Sequence, residues 1–162
     1  RAGVSLQDAL AMLQAGPSAR DARDAVQAVH LLCANVVAHP DEPRFRRIRL
    51  VNPHFQATLA RHAGGLEALL ALGFIEREDV EPDDPSVCLI LDEPDREADL
   101  DGWSRWYDAL KTARDDVLAF MADAGIPPLP VAVKGADDVA SWAERGPRDE
   151  CEVLHGQAGG GT

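Results

Sequence analysis

Apolar positions along the first 125 residues fall into helical and strand-like registers separated by prolines and glycines. Leu6, Leu10 and Leu13 recur at spacings of four and three behind Ser5, and Asp8 follows that serine by three residues. A short helix with a serine cap and an acidic first turn is predicted. Gly16-Pro17-Ser18 ends it. Ala22, Val26, Val29, Cys33 and Val36, with Ala25, Leu32 and Val37 beside them, then form the strongest helical stripe of the first half. His39-Pro40 stops it, because the residue before a proline is pushed out of helical dihedrals.

Pro43 and Pro53 each suit a first helical position and predict two further short helices, with a run of arginines between them. Leu66, Leu69 and Leu70, opened by Gly64-Gly65 and closed by Gly73, predict another. The run VCLIL at 87–91 is bounded by turn-prone EPDDPS and reads as a strand in a hairpin with residues 74–80. Trp103, Trp106, Tyr107, Leu110, Val117, Leu118 and Met121 share a helical stripe of about five turns that must dock on the core. Gly125 and the following prolines close it. The fold class is therefore α+β and mainly helical, a compact helical bundle with a small antiparallel β-sheet or hairpin and a long C-terminal helix. Residues 1–125 are expected to form the domain and 126–162 a C-terminal extension, partly disordered or a linker. Its weak helical stretch at ADDVASWAER is followed by glycines whose ordering entropy nothing offsets.

Composition narrows the function. The chain has 162 residues, 46% of them hydrophobic, and its net charge is −12 from 16 basic and 28 acidic side chains. Twelve acids against Arg77 and Arg96 between residues 76 and 101 supply most of that charge. A whole-surface nucleic-acid or anionic-membrane binder is disfavoured, so any contact with a polyanion must be local. No apolar run approaches the roughly 18 to 20 residues needed to span a bilayer, and the first residues lack a signal-peptide core. Cys33, Cys88 and Cys151 form an odd set with no CxxC, which argues for reduced thiols and a cytosolic or nuclear setting. A first residue other than Met suggests a domain cut from a longer protein.

Against this acidic background Arg44, Arg46, Arg47 and Arg49 lie within six residues and must have partners. Either they pair with the domain's own carboxylates, or they receive an acidic peptide or a phosphate. On a helix, Arg46 and Arg49 share a face with Phe45, and Asn52 lies close by. Cation, aromatic ring and amide would then converge on one groove, a combination suited to a chain terminus. Asn52, just before Pro53, is also an N-cap candidate, and Asn35 within an apolar stripe is a core bridge or a groove wall. The histidines and cysteines have no spacing that marks a metal site, so neither metal nor cofactor is expected. No signature of a catalytic nucleophile is present either, and the fragment is not read as an enzyme.

In order, residues 35–40, 44–49, 52–55 and 64–74 spell NVVAHP, RFRRIR, NPHF and GGLEALLALGF. This string resembles the PUB domain, also called PUG, and the resemblance covers about residues 5–121. PUB domains occur in peptide:N-glycanase, in a UBX-containing ATPase cofactor and in the linear-ubiquitin ligase. The resemblance implies a monomeric helical adaptor with a small sheet. It also implies binding to the acidic, aromatic C-terminal tail of the AAA ATPase valosin-containing protein, Cdc48 in yeast, or to a similar peptide, in ubiquitin-dependent and ER-associated degradation. Carried over residue by residue, the peptide site is Asn35, Arg44, Phe45, Arg49 and Asn52, with Ile48 and Phe55 lining or supporting it. Phe45 replaces the family's usual Tyr and Arg44 its usual Lys, which removes a phenolic hydrogen bond and adds a forked donor. Two alternatives are RNA or phosphate binding through the Arg44 to Arg49 cluster, and a non-binding accessory domain of an N-glycanase-type enzyme.

Overall fold

A computed structural model describes residues 3–79 and 86–131. Two serines start the first two helices in the same way. The Ser5 hydroxyl accepts from the Asp8 N–H at 3.0 Å to open α1 (Leu6–Gln14), and the Ser18 hydroxyl accepts from the Asp21 N–H at 3.1 Å to open α2 (Ala19–Ala38). Without such acceptors the first amides of each helix would face water or nothing. From Val26 to Val37 all but one of α2's residues are buried, and the exception is Gln27. An element apolar on every side belongs in the middle of the molecule. It packs against α1, against α4 (Gly65–Leu72) and, most extensively, against α5 (Leu100–Ala124).

Beyond His39 the chain differs from the expected helix. Pro43–Arg46 is a single 3-10 turn, and Arg47–Arg49 is a strand, β1, so Arg46 and Arg49 do not share a helix face with Phe45. The strand exists because it pairs antiparallel with β3 (Ser86–Ile90), with Ile48 opposite Leu89 and both side chains in the core. β3 also pairs with β2 (Ile75–Asp79), giving a three-stranded sheet in the order β1-β3-β2. The hairpin of β2 and β3 agrees with the sequence reading, whereas β1 is an addition to it.

Asn52 opens the short helix α3 (Pro53–Phe55), which runs into a single π-helical turn at Gln56–Ala60. Gly64 and Gly65 then let α4 begin in close contact with its neighbours. Gly64 has φ +99°, and a Cβ on Gly65 would overlap the Leu59 carbonyl oxygen. Leu10, Val29, Phe55, Leu59, Leu69, Phe74, Leu89 and Met121 meet in one core.

The long helix α5 docks through Leu110, Val117 and Met121, spaced seven and four apart, and ends at Gly125 in the left-handed region. Trp103, Trp106 and Tyr107 are half-buried at its first turns. Ile126, assigned by the sequence to the extension, is buried in the core, and Gln27 Nε2 donates to the Pro127 carbonyl at 2.7 Å. The helical stretch expected at ADDVASWAER, the glycine-rich end and Cys151 lie outside the described residues.

Candidate functional site

The residues singled out in the sequence lie on one stretch of chain between the C-terminal end of α2 and the start of α3. Asn35 sits in the last turn of α2, is 2% exposed, and its carbonyl accepts from the His39 N–H at 3.0 Å. His39 then leaves the helix at φ −136° and ψ 66°, and its ring lies against Phe45, with centroids 5.4 Å apart. The Arg44 guanidinium lies over the other partner of this cluster, 5.2 Å from the Phe45 ring centre. Phe45 itself is only 3% exposed. The ring is not an open stacking face but the floor beneath His39 and Arg44, held in the core by apolar contacts.

Strand geometry divides the four arginines. Alternation sends Ile48 into the core and Arg47 and Arg49 to the opposite side. Arg46, at the end of the 3-10 turn, reaches inward along the sheet. Its Nη1 donates to the Leu91 carbonyl at 3.3 Å, and its Nη2 lies 3.5 Å from Glu93 Oε1, with the side chain only 13% exposed. Glu93 is in turn bound by the Trp103 indole N–H at 2.8 Å and by Arg96 at 3.7 Å. The reading in which the arginines pair with the chain's own carboxylates therefore holds for Arg46. It joins the sheet to the first turn of α5.

Asn52 is only 4% exposed. Its Oδ1 accepts from the N–H groups of His54 and Phe55 at 2.8 and 3.1 Å, so capping is what the side-chain oxygen does here. Its own N–H donates to the Arg49 carbonyl at 3.1 Å, tying the cap to the end of β1. Ile48 and Phe55 are fully buried and support this segment from beneath. The structure thus places Asn35, Arg44, Phe45, Ile48, Arg49, Asn52 and Phe55 in one connected segment, with the three apolar or aromatic members inside. His39 and Glu93 are participants that the sequence reading missed. His39 was read only as a helix stop, and nothing local marks Glu93 among twelve nearby acids.

Among the described residues no group of three or more His, Cys, Asp or Glu side chains is placed to hold a metal ion. No described helix is long and apolar enough to cross a membrane. Cys33 is buried with its thiol against the Leu110 carbonyl at 3.5 Å, and burial pushes it up to about 12. It is no nucleophile in this setting.

What the segment belongs to follows from its wider pattern. The sequence profile of the PUB domain matches residues 19–101, just over half of the chain. The chain belongs to the PUB domain family. PUB domains are non-catalytic protein-interaction modules, and the matched span holds every residue of the candidate site. A UBX domain-containing protein 6 from Caenorhabditis elegans is 37% identical over 57 residues, which is 35% of this chain and 13% of that protein. The chain thus matches a small part of a much longer relative. In this PUB domain the site's cationic groups stand on a scaffold of buried side chains, an arrangement that can bind anionic groups without moving the backbone.

Proposed function

We propose that this PUB domain is an adaptor that holds the acidic, aromatic C-terminal tail of the AAA ATPase valosin-containing protein, Cdc48 in yeast, or a similar short peptide. The observation that carries the reading is the placement of Arg44 and Arg49 on the segment capped by Asn52, in a chain whose net charge is −12. An acidic peptide is repelled by most of this surface and attracted by that segment. Family membership and a relative named for its UBX domain support the same direction. Arg44 and Arg49 would hold carboxylates as forked donors, and the buried Phe45 would keep Arg44 in position from beneath. Few anchors must offset the ordering of a flexible peptide, so the expected affinity is micromolar, or about −8 kcal/mol.

The test is titration of the chain with a synthetic peptide of the ATPase tail, followed by melting of each variant. Arg49→Glu should weaken binding by about tenfold or more while leaving the melting temperature unchanged, since it reverses a charge on the outer side of β1. Asn52→Asp keeps the oxygen that caps α3 and adds negative charge, so it should weaken binding without unfolding the protein. Absence of binding at several hundred micromolar, with tight and steeply salt-dependent binding of an oligonucleotide instead, would replace this reading with nucleic-acid recognition.

A further inference from the structure

The register of the sheet gathers charges that are far apart in sequence. Arg49 pairs with Cys88 and Cys88 with Arg77, so one row across the three strands reads Arg, Cys, Arg. The adjacent row on the same face, two residues along, is Arg47, Ile90 and Ile75. The opposite face carries Ile48 and Leu89, which are buried in the core. The outer face therefore presents three arginines around an aliphatic strip on which Ile75 is 44% exposed, while Cys88 between Arg49 and Arg77 is fully buried.

This face is the reverse of the chain's general character. Arg77 comes from the acidic stretch of residues 76–101, yet the strand's alternation turns it toward Arg47 and Arg49 and away from Glu76 and Glu78. Its guanidinium is held in a two-pronged pair with Asp92, one bond being 3.0 Å, and those hydrogen bonds keep the Asp92 carboxyl below the usual carboxylate range. Both partners are exposed, so an incoming carboxylate can exchange with Asp92 at small cost. The face is also continuous with the candidate site, because the Arg49 carbonyl accepts from the Asn52 N–H.

We propose that the outer face of the sheet, built from Arg47, Arg49 and Arg77 around Ile75 and Ile90, is a second subsite for an extended acidic peptide. It takes the residues that precede the C-terminal anchor. The inference rests on the reading of the first site, which it lengthens. Same-side residues of an extended chain repeat every ~6.8 Å, which is also the spacing of Arg47 and Arg49 along β1. Acids at alternate positions of the ligand therefore meet successive arginines, and an apolar residue beside them covers Ile75 and Ile90. Single-stranded RNA is the poorer fit, since its bases stack on aromatic side chains and this strip is aliphatic.

Two synthetic peptides test this, a short one holding only the terminal residues of the ATPase tail and a long one that adds an upstream run of alternating Asp and Ser. The long peptide should bind about tenfold more tightly, and Arg47→Glu/Arg77→Glu should abolish the difference while leaving the short peptide's affinity unchanged. If the reversed pair melts early, Arg47→Gln/Arg77→Gln provides the same comparison with smaller losses. Equal affinities for the two peptides in the unmodified protein would overturn the subsite, as would tighter binding of an oligouridylate that the same variants remove. Failure of the short peptide alone sinks the terminal site. Binding of the long peptide that the double variant removes would then still support the sheet face, and failure of both peptides overturns both readings.

Discussion

The Tyr107 hydroxyl donates to the Val37 carbonyl oxygen at 2.7 Å, joining the first turns of α5 to the last turn of α2. The last carbonyls of a helix have no partner within it, so a side chain from another element completes the end of α2. The same ring stacks on Trp103 with centroids 5.0 Å apart, and Arg96 and Lys111 close the stack from either side. Tyr107→Phe keeps the stack and removes only the hydrogen bond. It should cost about 1 kcal/mol, read as a lower midpoint in urea with an unchanged slope. An unchanged midpoint would mean that water replaces the hydroxyl at Val37.

Two glycines should respond very differently to alanine. At Gly65 a Cβ would overlap the Leu59 backbone, which cannot swing aside as a side-chain tip can. Gly65→Ala should cost about 3 kcal/mol or more. Gly125 has φ +74° but open space around it, so Gly125→Ala should cost only the left-handed conformation, about 1 kcal/mol. Thermal melting of the pair checks the order, and equal losses would show that α4 can move away from the π-helical turn.

His30 should make stability fall in mild acid. It is buried in α2, and burial, assisted by the Arg114 charge, lowers its pKa below the ordinary 6.5. Between 6.5 and that lower value the unfolded chain binds a proton that the folded chain does not, so unfolding is favoured as pH drops through this window. Denaturation at pH 7.5 and pH 5.5 should show a loss that His30→Gln reduces. An identical pH slope in the variant would remove His30 from the account.

The Cys33 thiol should resist alkylation while the protein is folded. With its pKa pushed up to about 12 there is almost no thiolate at pH 8, and the side chain is enclosed between α2 and α5. Mass spectrometry after iodoacetamide should find Cys33 unmodified in buffer and modified in denaturant. Rapid labelling in buffer would reveal opening between the two helices.

Helix boundaries were legible because each has a local physical cause. Ser5 supplies a cap oxygen, Pro40 forbids the helical dihedrals before it, and Gly73 and Gly125 take up the left-handed ends. The strand at Arg47–Arg49 was not legible, since three residues are too short for alternation to compete with the helix start suggested by Pro43. Its pairing with Ile90, Leu89 and Cys88, some forty positions away, decides the outcome. For the candidate site, the sequence puts its members on one segment of chain but does not give their exposure. Phe45 and Asn52 match a binding motif in sequence, yet the core claims the ring of one and the α3 amides claim the oxygen of the other. Arg77 could not be associated with Arg49 without the register of β3.

The pairing of α2 with α5 also governs when the fold can close. Gln27 and the Pro127 carbonyl meet across 100 positions, and Cys33 meets Leu110 across 77. Until the chain has been synthesised through Ile126, the face of α2 that receives Met121 and Val117 has nothing apolar to cover it. Contacts so distant in sequence must repay a large loop-closure entropy before they contribute, which slows formation of the complete domain relative to a bundle of neighbouring helices. During synthesis the sheet and α1 to α4 can gather locally, and α5, which emerges after them, is the helix that seals them.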